Sequence, residues 1–66
     1  MIRDMHRLTL SMEQMERVML ALEDLRQSVL PRDPQLFATF AEAPLDDLQR
    51  LRKEINNLVL ELRSAD

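Results

Sequence analysis

Few residues of this chain carry the side chains that chemistry uses. The sole histidine, His6, stands two positions from Asp4. A zinc site takes three or four protein ligands, mostly Cys and His, and the chain has no Cys. One imidazole in a lead-in segment does not assemble such a site, so the expectation is no metal and no other cofactor. Carboxylates pair at Glu23-Asp24 and Asp46-Asp47, and Glu13 and Glu16 are three apart. Acid–base catalysis needs such groups in a pocket that drives their pKa values apart. These instead occupy solvent-facing helical positions, and Asp46-Asp47 is accounted for as negative charge at a helix start. A di-iron bundle needs Glu-x-x-His on facing helices, and neither long helix holds a His. Of the candidate nucleophiles Ser11, Ser28 and Thr39, the first reads as a helix cap and the others have no His to act as base. A phosphate-cradling loop needs glycines, and the chain has none. The expectation is that the chain is not an enzyme.

The basic residues raise a different chemistry. Arg50, Arg52 and Lys53 cluster, and Arg3 and Arg7 lie in the lead-in. Such side chains bind nucleic acid by neutralising phosphates, and a two-fold axis would present the cluster to two phosphate tracks. The alternative function is therefore a small nucleic-acid-binding regulator using Arg50, Arg52 and Lys53. Against it, Asp46 and Glu54 each lie four positions from Arg50, and aromatic side chains on which single-stranded bases stack are scarce. Nine Lys and Arg against twelve Asp and Glu also give a formal charge of −3. A solvated charged face is the simpler account, and nucleic acid is not the expected partner.

Met12, Met15 and Met19, with Met5 upstream, form a third group. Methionine fills irregular apolar gaps and recurs in protein-binding grooves. At helical spacing its first reading is core packing at a seam, and its second is a site for a partner helix. Asn56 and Asn57 fall at outward positions of the last helix. Turned inward, either would set register as a buried amide does.

The elements that carry these groups follow from caps and periodicity. Residues 1–10 read as a lead-in, with Leu8-Thr9-Leu10 alternating like an extended piece. Ser11 with Gln14 three positions on is a capping-box pattern, so the first long helix is expected over 11–30. Its apolar stripe is Met15, Val18, Leu22, Leu25 and Val29, widened by Met19; the 3-4-3-4 spacing keeps these on one face. Pro31 ends it. Asp33-Pro34 then caps and opens a short helix over 34–42, where Phe37 and Phe40 are read as a plug closing one end of the long-helix pair. The last long helix is expected over 44–64, with Pro44 at its first position. Its stripe is Leu48, Leu51, Ile55, Leu58 and Leu62, broadened by Leu45 and Val59. Residues 64–66 are expected to fray.

Bulk composition says what these elements build. Apolar residues make 45% of the chain and charged residues 32%, with Leu and Met dominant and neither Tyr nor Trp, which favours an all-α fold. A single domain of 66 residues removes only about 60% of its unfolded surface from water. Disulfides, metals and oligomerisation are the usual remedies, and the first two lack ligands here. The expected architecture is a hairpin of two long helices with a short connecting helix, pairing in coiled-coil fashion as a homodimeric four-helix bundle. Its interface is expected to comprise Met15, Val18, Met19, Leu22, Leu25 and Val29 with Leu48, Leu51, Ile55, Leu58, Val59 and Leu62. The longest apolar run, Val18 to Leu22, is far short of the roughly 20 residues of a membrane span. No signal-peptide pattern is present, and a cytoplasmic protein is expected. Function is read as a small non-enzymatic adaptor or accessory protein acting through protein association, with itself and with a second partner. One subunit of an obligate hetero-complex, antitoxin-like or chaperone-like, is a further alternative.

Overall fold

A computed structural model describes residues 2–64, with the side chains of 5–64. It holds two antiparallel helices, α1 (Ile2–Ser28) and α2 (Pro34–Ser64), packed side by side along their length. The all-α helical hairpin expected from periodicity is present. Its internal seam is a heptad pattern on both strokes. On α1 it runs Leu8, Ser11, Met15, Val18, Leu22, Leu25 and continues to Val29, and on α2 it runs Phe37, Ala41, Pro44, Leu48, Leu51, Ile55, Leu58 and Leu62. Alternating steps of three and four keep each row facing the other helix. Ser11, Ala41, Leu51 and Leu58 are buried at the seam, and the other seam residues are half-buried.

Besides the end of α1, at Ser28 rather than residue 30, three boundaries differ from the sequence reading. The segment 1–10 was expected as an extended lead-in, yet from Ile2 onward it is the first part of α1. Leu8 and Ser11 continue the heptad seam toward the N-terminus, and Arg7 donates a 3.3 Å hydrogen bond to Glu54 of α2. These contacts extend the helix through a position that resembles a cap. Met1 lies outside the described residues. Ser11 consequently caps nothing; it is 5% exposed in the middle of a helix, where a small side chain allows close approach.

The second and third differences concern Pro44. The short helix expected over 34–42 and the last helix expected over 44–64 are one continuous α2, with Pro44 in its interior. A proline there removes the hydrogen bond to the Phe40 carbonyl and costs about 3 kcal/mol. The helix continues because Ala41, Pro44 and Leu48 are successive seam positions, so breaking it would take the Phe37 turn out of phase with α1. The same phase undoes the aromatic plug. Phe37 is half-buried, whereas Phe40 lies off the seam and is 50% exposed.

The connection between the helices turns without any residue at positive φ. The Val29 N–H donates to the Leu25 carbonyl at 2.9 Å and the Leu30 N–H to the same oxygen at 3.1 Å, closing α1. Asp33 then caps α2 as its sequence implies: the Leu36 N–H donates to Asp33 Oδ1 at 3.1 Å, with Pro34 as the first helical residue. Ser64 is helical and its hydroxyl donates to the Leu60 carbonyl; Ala65 and Asp66, expected to fray, lie outside the described residues.

Candidate protein interface

The two sides of the hairpin differ in chemistry. On one side the groove between the helices is polar. Arg7 and Glu54 bridge it, and Gln14, Arg17, Asp47, Arg50, Lys53 and Asn57 line it further along. On the opposite side the groove is apolar, an open channel of about 400 Å³ walled by Met19, Leu22, Leu30, Phe37, Leu45 and Leu48, with Glu23 and Arg26 at its edge.

Helical geometry extends that apolar side along the molecule. At 3.6 residues per turn, Met5, Met12 and Met19 lie one above another at seven-residue intervals, on the flank of α1 beside Leu8, Met15 and Leu22. The matching flank of α2 carries Leu45, Arg52 and Val59 beside Leu48, Ile55 and Leu62. Met5, Met12, Met19, Leu45 and Val59 are all exposed. Each helix thus carries two 3-4 rows that share members. One row closes the hairpin, and the other is left on its surface.

The interface expected from sequence divides accordingly. Val18, Leu25, Val29, Leu51 and Leu58 lie in the seam within the chain, Leu51 and Leu58 fully buried there. Met19 and Val59 are on the open apolar face, and Met15, Leu22, Leu48, Ile55 and Leu62 stand half-buried between the two. Met5, Leu8 and Met12 join the face through the helical continuation of the lead-in, and Leu45 joins it on α2. A second heptad row beginning at Met5 was the signal that would have found them.

The basic cluster is not brought together. Arg50 and Lys53 line the polar groove, while the helical period puts the exposed Arg52 in the Leu45–Val59 row. Arg50 donates to Asp47 Oδ1 at 3.2 Å; the pair with Asp46 suggested by spacing is not the one formed. The side chains of Arg3 and Asp4 lie outside those described; the other chemistry-bearing residues named from the sequence are engaged in the helices or exposed. Ser28 and Thr39 hydroxyls donate to the Asp24 and Gln35 carbonyls, and His6 is exposed. Glu23 accepts hydrogen bonds from Arg26 and Gln27, and those bonds, Arg26 first, hold its carboxyl at about 2, below the usual range. Among the described residues no group of three or more His, Cys, Asp or Glu is placed to hold a metal ion. No helix among them is long and apolar enough to cross a membrane. No family model, curated protein or solved structure matches the chain.

Proposed function

We propose that this chain is a small non-enzymatic adaptor or accessory protein of the cytoplasm that works by packing its apolar face against other helices. The observation that carries this reading is the surface the hairpin leaves uncovered. It exposes 5556 Å² at 7.8 kDa, where a compact monomer of that mass exposes roughly 4,400 Å². Part of that surface is a continuous face on which Met5, Met12, Met19, Leu45 and Val59 are exposed, flanked by charge. An exposed apolar face running along both helices is what a helix-packing surface requires.

The reading is tested in extract of the cells that make the protein. The native chain should migrate in a complex heavier than the 7.8 kDa chain. Met19→Lys combined with Val59→Lys should abolish that complex while far-UV circular dichroism stays helical, because neither position lies in the internal seam. A native chain that migrates alone would overturn the reading.

A further inference from the structure

We infer that the occupant of the apolar face is a second copy of this chain, docked with both interhelical turns at the same end of the bundle, so that α1 of each chain lies against α2 of the other. The inference rests on the reading of this face as a helix-packing surface. It is carried by the area left open and by the charges along its two edges.

The surface one chain leaves open is large enough for an obligate dimer. Two separate chains expose twice 5556 Å², whereas a compact body of twice the mass exposes roughly 7,300 Å². Merging them removes on the order of 3,900 Å², within the roughly 2,000–5,000 Å² of permanent homodimers. The shape agrees. The hairpin measures 51 × 14 × 13 Å, one layer of helix pairs, and a second layer of the same length covers its face from end to end.

The edges choose the orientation. Beside Met12 and Met19, the α1 edge carries Glu16, whose neighbours at three and four positions, Met12, Glu13, Met19 and Leu20, include no base. On α2 the exposed row carries Arg52 between Leu45 and Val59, and its neighbours at the same intervals, Leu48, Gln49, Ile55 and Asn56, include no acid. Neither residue forms an ion pair among the described residues. An arginine inside an apolar row without an acid on its own helix calls for one from across the interface.

Two two-fold arrangements stack one hairpin face on another. With the turns at opposite ends, α1 meets α1 and α2 meets α2. Glu16, beside the middle of Ile2–Ser28, then faces its own copy, and the two Arg52 side chains approach near the middle of α2. With the turns at the same end, α1 lies against the partner's α2 in the register already seen within the chain. That register sets Val18 beside Leu51. Glu16 therefore falls within one turn, about 5 Å along the axis, of the partner's Arg52, twice by symmetry. Opposite charges meet in this arrangement and like charges meet in the other.

The absence of cysteine makes the test direct. Chains bearing Glu16→Cys and Arg52→Cys are mixed and treated with a short bismaleimide, after light scattering has established the mass of the purified protein. The expected result is a dimer of twice 7.8 kDa in which the mixture cross-links and neither variant alone does. Charge reversal supplies a second measure. Glu16→Arg and Arg52→Glu should each weaken dimerisation about 3- to 10-fold, and the doubly reversed chain should recover most of that loss. A dimer in which Glu16→Cys cross-links to itself, or in which the double reversal recovers nothing, overturns the orientation. A purified chain that stays monomeric at millimolar concentration overturns the second copy as occupant; the packing reading then stands or falls on the complex in extract.

Discussion

Leu51 and Leu58 are the two large side chains that the hairpin takes almost wholly out of water, at 4% and 3% exposure. Leu58→Ala should therefore cost about 2–5 kcal/mol in urea or thermal unfolding, and a loss under about 0.5 kcal/mol would show that the seam is not packed as described. Ser11 separates two accounts of the same residue. A serine that caps a helix costs about 1 kcal/mol when replaced by alanine. In mid-helix at a close-approach position, Ser11→Ala should leave stability unchanged or raise it by a few tenths of a kcal/mol, measured by the same unfolding curves. Both leucines were legible in the spacing of the last stripe. Ser11 was not, because a serine with Gln three positions on satisfies a local capping pattern and a heptad seam position equally well; only the presence of α2 opposite it distinguishes them.

At the scale of the element, Pro44 decides whether the C-terminal half is one helix or two. As the first residue of a helix, proline is favourable and its replacement gains nothing. Inside α2 it leaves the Phe40 carbonyl without its helical donor, so Pro44→Ala should raise stability by about 1–3 kcal/mol. Thermal unfolding followed by circular dichroism checks this, and a loss of stability would place a helix start at Pro44 after all. The continuous helix was written in the row Phe37, Ala41, Pro44, Leu48, whose steps of four, three and four join the stripe that follows. Local rules for proline compete with that row and favour a helix start. In the folded molecule the order reverses, since the whole length of α2 packs on α1 while the cost of one proline is paid once. The start of α2 was legible at Asp33-Pro34, because a cap and a fixed φ are local properties.

For the whole molecule, a radius of gyration of 15.1 Å compares with about 11 Å for a compact domain of this length. A hairpin this elongated has only a thin core to itself. If two copies share their apolar faces, unfolding and dissociation are linked, and the melting temperature should rise with concentration by about 5 °C per tenfold. A melting temperature constant over a hundredfold range would mean that the hairpin is stable alone. The helical class, the positions of both long apolar stripes, the Asp33 cap and the surplus of apolar residues over what one small chain can bury can all be read from the residues in order. These follow from composition, spacing and backbone sterics, which act within a few residues. That the lead-in is helical, that Pro44 is interior, and that each helix divides its apolar residues between an internal seam and an open face emerge when the two helices pack. Those outcomes depend on what lies across from each residue. Two helices in contact at a definite register are needed before Arg7 meets Glu54, Ser11 loses its solvent, or the methionine row finds itself on the outside.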